Sequence, residues 1–364
     1  MALSWPPPTL CVKTQQGDSP LRLQEALDTY LPLIEEELHV CMTAPADSPP
    51  AFFGMMQYHL GWTDDQFRPV QMKAGKRLRS VFTLLACQAS GGGPSDALPA
   101  AAAVELIHNF SLIHDDIQDR SDTRRGRATV WALWGEAQAI NAGDTMFTLA
   151  HLALHRLTER GLPAERVIAA CRSLDEANLA LCRGQHLDLD FETRLAVNVD
   201  AYLTMIQGKT AALLGCSGQL GALVASPDRA LAERYHHIGE ELGLAFQIQD
   251  DLLGIWGQAE VTGKPIADDI RRRKKSLPVL YVLGRQNDPD AKRLRALYAQ
   301  DTISEEDVYE AVSILNASQA RPYAERLAHQ HLETALCELE AAGPEPEADE
   351  ALRELAHFLI RRTY

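Results

Sequence analysis

The chain has no long uninterrupted apolar run, no CxxC pair and no surplus of basic residues, and each absence removes a class of function. A bilayer-spanning helix needs about 20 consecutive apolar residues, so none is predicted. The formal net charge of -15 speaks against a nucleic-acid partner, because binding a phosphate backbone requires a basic face. The seven cysteines, at positions 11, 41, 87, 171, 182, 216 and 337, show no metal-ligand spacing. An odd, scattered set of this kind reads as reduced thiols packed in a core, which predicts a cytoplasmic protein. The opening MALSWPPPTL lacks the basic region and apolar stretch of a signal peptide. Strand-like alternation of period two is also missing.

Helical periodicity is what remains. Hydrophobic residues make up 46% of the 364, enough for a sizeable core. In DVYEAVSIL, Val308, Val312 and Leu315 follow the spacing of a helix buried on one side, and SEED from Ser304 supplies a capping start. Similar stripes recur near 22–41, 77–90, 98–119, 134–157, 164–184, 199–224, 227–256 and 319–341. The intervening TAPADSPPA, SGGGPSDALP, ASPD and AGPEPEADE read as turns rather than domain linkers. Residues 1–20 are expected to form a flexible tail, and 21–364 a single all-α domain with more helices than a four-helix bundle needs.

The chemistry concentrates in SLIHDDIQDRSDTRRG, Ser111 to Gly126. On a helix Asp115 and Asp119 share one face, about 5–6 Å apart at Cβ, with Asp116 at its border. Mg²⁺ favours such sites, where one or two carboxylates act together with substrate phosphates. The bland alternative is a solvated acidic helix end. ELIHNFSLIH just upstream is apolar, however, so these acids emerge from a buried helix. A second pair, Asp250 and Asp251, ends the stripe in AFQIQDDLLGIWG, with Gln247 one turn earlier. Two such helices would face each other across one cavity, as in carboxylate sites of helical bundles.

Basic residues complement them. KAGKRLRS puts Lys76 and Arg79 on one helical face after Gly75, where a ligand can approach closely. Arg124 and Arg125 follow the first acids. Lys209 and Thr210 interrupt the apolar AYLTMIQGKTAALLG, and a lysine there is costly unless paired or functional. VTGKPIADDIRRRKKS contributes Lys264 and Lys274, though runs such as RRRKK are ordinarily solvated surface. His151 and His155 in HLALH have zinc-compatible spacing but neither an HExxH glutamate nor a third ligand, and read as a helix face. His236 and His237 read as surface.

Taken in order, GKRLR, LIHDDIQD with its RRG, GKT, FQIQDD and GKP with its KK resemble the trans-isoprenyl diphosphate synthases, the polyprenyl synthetase family, from about Gly75 to Ser276. The resemblance implies an isoprenoid synthase-type helical barrel around a central cavity, usually a homodimer. It implies that Asp115 and Asp119 bind two Mg²⁺ and Asp250 a third, with Asp116 and Asp251 supporting and Mn²⁺ as a substitute. Arg124, Lys209, Gln247 and Lys264 would contact the allylic diphosphate (dimethylallyl, geranyl or farnesyl), with Thr210 beside the reacting carbon. Lys76, Arg79, His108 and Arg125 would hold isopentenyl diphosphate. Lys274 joins the substrate-binding set, and Gln185 and Asp188 match a further polar pair near the metals. Arg361 and Arg362 in the terminal LIRRTY suit a closing flap.

Two positions depart from the family pattern. Gly254 stands where the second motif ordinarily ends in aspartate, and Ala74 where a glycine is common. A class I terpene cyclase would not need the Lys76, Arg79 and Arg125 set, and a non-catalytic subunit ordinarily loses motif acids, of which five of six remain. Phe110 lies five residues before Asp115, roughly 7.5 Å down a helix at about 1.5 Å per residue. With small Ser111 next to it, this aromatic resembles the chain stop of synthases making geranylgeranyl diphosphate, with farnesyl diphosphate the close alternative.

Overall fold

The long apolar stripes do form helices. The computed structural model describes residues 22–360 apart from 71, 73–74, 195, 258–265 and 301. Its first ten helices are α1 (Leu23–Cys41), α2 (Pro50–His59), α3 (Leu78–Ala89), α4 (Leu98–Gln118), α5 (Val130–Trp134), α6 (Glu136–His155), α7 (Ala164–Thr193), α8 (Val199–Ile206), α9 (Ala212–Ala225) and α10 (Arg229–Trp256). Shorter helices follow at Asp268–Arg271, Leu277–Leu283, Pro289–Tyr298 and Glu305–Ala317, then two long ones at Ala320–Ala342 and Pro346–Ile360.

Local chemistry fixes several starts. Asn198 accepts a hydrogen bond from Ala201 N at 2.8 Å ahead of α8, and Asp228 accepts from Ala230 N at 2.8 Å ahead of α10. Ser304 and Asp307 form the capping box that SEED suggested. The core is built on α4, whose Leu98 to Ile107 are all buried. Against it lie α1, α3, α6 and α9, with α10 packed on α9 and the helix Pro346–Ile360 on α3. A second apolar cluster joins Ile255, near the end of α10, to the helices from Leu277 to Ala317. No helix among the described residues is long and apolar enough to cross a membrane.

Four features differ from the expectation. α2 and the helix Pro346–Ile360 form where the sequence suggested a break or gave no stripe. The stretch 199–224 is not one regular helix, because Gln207–Ala211 form a π-helical turn between α8 and α9. Thr123–Arg124 pair antiparallel with Arg127–Ala128 around Arg125 (φ 52°) and Gly126 (φ 75°), the two left-handed residues of a type I′ turn. The cysteines are only partly core: Cys87 and Cys216 are buried, Cys41 and Cys171 half-buried, and Cys182 and Cys337 exposed. Outer helix faces, rather than core alone, carry these thiols.

Candidate active site

α4 carries its acids to its last turn. Asp115 is half-buried, Asp116 buried and Asp119, the C-cap, exposed. Burial pushes the Asp115 carboxyl up to about 6; Asp119 and Asp188 add to this, while Lys209 and Arg124 oppose it. Asp116 turns to the hairpin instead and accepts from Arg124 Nε at 2.8 Å. Its carboxyl also rises to about 6 through burial, with Arg124 the main opposing charge.

Across from α4, the π-helical turn presents Lys209 and Thr210 to the same space. Extra backbone in such a turn re-aims side chains, and π-turns recur at functional sites for that reason. It fits because two glycines meet: a Cβ on Gly184 would stand 2.1 Å from Lys209 N, and one on Gly208 would stand 2.6 Å from Ala180 O. Lys209 Nζ donates to Asp188 Oδ2 at 2.5 Å, which pairs the lysine that the sequence left exposed to an apolar stripe. Thr210 Oγ1 donates to Gln247 Oε1 at 2.8 Å, and Gln185 Nε2 donates to Gln118 Oε1 at 2.8 Å.

The second acidic pair divides. Asp250 is half-buried, one and a half turns before the end of α10 rather than at its end. Asp251 is fully buried and taken up by protein donors: Tyr202 OH at 2.5 Å, Leu277 N at 2.9 Å, Lys274 Nζ at 3.4 Å and Gln247 Nε2 at 3.5 Å. In this structure it latches the 274–277 segment to α10, which differs from the expected place beside a metal. Lys274 lies 3.7 Å from Asp269 Oδ2 as well. Burial pulls the ammonium pKa down, but Asp251 and Asp269 override it and raise the pKa. Tyr202 and Asp269 are site residues that the sequence reading missed. Asp269 packs where Gly254 leaves room, since a Cβ there would meet its Oδ2 at 2.2 Å.

The other basic set surrounds the start of α3. Arg79 Nη1 approaches His108 Nε2 at 3.5 Å, and burial together with Arg79, Arg125 and Arg124 holds the imidazole well below its ordinary pKa. A neutral His108 therefore accepts from Arg79. Arg125 packs on Gly75, where a Cβ would stand 3.1 Å from its Nη2. Burial, with Arg124 and Arg77 adding, lowers the Arg125 pKa against the pull of Glu105, so this corner favours an added anion. Arg77, between Lys76 and Arg79, is not free for substrate: it points inward to Glu35 (2.5 Å) and Glu105 (2.9 Å).

A cavity of about 140 Å³ is lined by Arg79 and His108 together with Asp115, Lys209, Thr210 and Gln247. Leu112, Leu181, Leu213 and Phe246 give it apolar walls. A second space of about 260 Å³ lies behind the hairpin, against Arg124, Arg125, Arg127 and His59. Ser111 lines the first cavity, but Phe110 does not: it faces α6, edge-on to His114 at 4.9 Å and tilted on Phe147 at 5.5 Å. His151 bonds Asp175 at 2.7 Å and ties α6 to α7, as a structural face would. His236 is half-buried beside Glu240 rather than at the surface, while His237 is exposed. Lys264, Ala74, Arg361 and Arg362 lie outside the described residues.

The donor set fits a hard divalent cation. Asp115 is a carboxyl whose charge is held back by burial and by like charges, and a cation beside it relieves both. Among the described residues no three ligating groups converge into a protein-only cage.

Comparison with known proteins agrees with this geometry. The polyprenyl synthetase family matches residues 62–315. The chain is 40% identical over 312 residues to a (2E,6E)-farnesyl diphosphate synthase of Mycobacterium tuberculosis, covering 85% of each chain. It is 41% identical over 309 residues to a geranylgeranyl diphosphate synthase of the same organism, covering 85% of this chain and 86% of the relative. Polyprenyl synthetase from Streptomyces coelicolor A3(2) superposes with a TM-score of 0.83 at 33% identity, over 93% of this chain and 98% of that one. The chain belongs to the polyprenyl synthetase family, as a trans-prenyltransferase that condenses isopentenyl diphosphate with an allylic diphosphate.

Proposed function

We propose that the protein makes geranylgeranyl diphosphate, with Asp115 and Asp119 holding two Mg²⁺ and Asp250 a third. The observation that supports the two-substrate arrangement is one cavity lined both by Arg79 and His108 and by Asp115, Lys209, Thr210 and Gln247. The allylic diphosphate lies with Arg124, Lys209, Gln247, Lys264 and Lys274; isopentenyl diphosphate lies with Lys76, Arg79, His108 and Arg125. Mg²⁺, when bound, neutralises the diphosphate as it leaves. Lys209 and Arg124 are fixed cations aimed at the same developing charge. Holding both reactants in one cavity removes much of the bimolecular entropy cost. The leucines and Phe246 keep water from the allylic cation, and the departing diphosphate takes the proton.

A terpene cyclase is disfavoured by the second basic set, which ionisation alone would leave without use. Residues 21–364 act as one domain in a cytoplasmic protein. Ile140 and Leu152 on α6 and Ile168 and Leu179 on α7 are exposed apolar side chains, which supports pairing of these helices in a homodimer. Phe110, the sequence neighbour of cavity-lining Ser111, packs tilted against Phe147 at 5.5 Å, and this aromatic pair is the proposed stop at geranylgeranyl length.

The deciding experiment supplies purified protein with isopentenyl diphosphate, Mg²⁺ and, in turn, dimethylallyl, geranyl or farnesyl diphosphate. Chromatography of the dephosphorylated products should show geranylgeraniol as the end point. Accumulation of farnesol would move the assignment to farnesyl diphosphate, and no turnover with any starter would favour the non-catalytic subunit.

A further inference from the structure

We propose that Phe358, in the helix Pro346–Ile360, is a positioning residue for Lys76 and through it sets the affinity for isopentenyl diphosphate; the inference rests on the substrate assignment above. Lys76 Nζ lies 4.4 Å from the centroid of the Phe358 ring. That is within the range at which an ammonium is attracted to the negative face of an aromatic ring.

The ring is one of the contacts that Lys76 makes. Its neighbours are held by other means: Gly75 lies against Arg125, Arg77 is clamped by Glu35 and Glu105, and Arg79 meets His108. Lys76 is exposed, on a flexible four-carbon stem, in the irregular segment before α3. An aromatic ring can add to the orientation of an ammonium. It orients the ammonium without cancelling its charge, and it uses none of the hydrogen-bond donors that a diphosphate would take.

Phe358 is itself fixed. Leu352, Leu355 and Leu359 of the same helix are buried, so the helix is docked by its apolar face. Its Glu354 also accepts from Leu23 N at 2.7 Å. The helix Pro346–Ile360 therefore brings a fixed ring to Lys76 of the proposed isopentenyl site.

The test is a double-mutant cycle between Lys76 and Phe358 on the full-length protein, with the Michaelis constant for each substrate as readout. Phe358→Leu keeps apolar bulk but loses the ring face, and Phe358→Trp keeps the face. We expect Phe358→Leu to raise the isopentenyl KM about two- to fivefold, with a smaller change in the allylic KM. Phe358→Trp should stay near wild type, and Phe358→Leu should add nothing in a Lys76→Ala background. Thermal midpoints report whether each variant remains folded. A Leu variant equal to wild type, or one raising KM by the same factor without Lys76, overturns the proposal. Should wild type itself fail to consume isopentenyl diphosphate, the substrate assignment falls, and this inference falls with it.

Discussion

The carboxylate of Asp269 occupies the space that any side chain on Gly254 would need, with its Oδ2 2.2 Å from where a Cβ would stand. It is also one of two carboxylates beside Lys274. Gly254→Ala should therefore move Asp269 and loosen Lys274. A helix gains up to about 1 kcal/mol from Gly to Ala, which offsets part of the crowding cost of about 1–3 kcal/mol. Stability should then change little while kcat falls several-fold. Unchanged kinetics would show that the Asp269 contact has no part in turnover. Gly254→Asp, although it restores the family pattern, should do more harm by placing a second carboxylate against Asp269.

Asp115→Ala should lower kcat by at least tenfold and change the KM values less. The interaction strengthens as the C1–O bond breaks, so its loss appears in the transition state. Asp119→Ala should behave alike. Near-normal kcat for Asp115→Ala, in steady-state assays at saturating Mg²⁺, is the result that removes Asp115 from the metal site.

Phe110→Ala should shift products to longer chains. Because Phe147 stands behind Phe110 at 5.5 Å, opening the floor fully should require Phe110→Ala with Phe147→Ala. Chromatography of dephosphorylated products gives the length distribution. The same distribution in both folded variants would show that growth stops elsewhere.

The pH dependence of stability follows from His59. Burial, with Arg125, Arg124 and Arg127 adding, lowers its pKa to about 3 from the ordinary 6.5. The unfolded chain binds a proton near pH 6.5 that the fold refuses, so this contribution is fully present above that pH. It is lost progressively as pH falls toward about 3. By about pH 5 the loss reaches up to about 2 kcal/mol. Thermal midpoints of wild type and His59→Gln should converge or cross as pH is lowered across this window. Parallel curves would remove His59 as the cause.

What the sequence made legible was pattern that repeats locally. Helical stripes, the acid cluster at Asp115 to Asp119 and the GKT interruption all lie within a few turns, and all keep their place. Partners distant in sequence were not legible. Asp251 looks like Asp250 in the sequence, but it is separated from it by Tyr202 OH and Leu277 N, which only folding brings together. Gly254 read only as a departure from the second acidic motif, because Asp269, fifteen residues on, is invisible to a motif. The π-helical turn escaped because its cause is the Gly184–Gly208 approach between two helices, not a local breaker. α2 escaped because its prolines, Pro49 and Pro50, read as a loop although proline suits a first helical turn.

Arg124 and Arg125 are consecutive, yet the hairpin sends one to Asp116 and the other to Gly75. In the proposed assignment each arginine holds a different substrate head, so the span between electrophile and nucleophile is gauged by a single peptide link. Lengthening the product moves only its hydrocarbon tail and leaves that gauge untouched. One ruler therefore serves every round of elongation, and selectivity for product size is free to evolve at the floor of the cavity without retuning the bond-forming end.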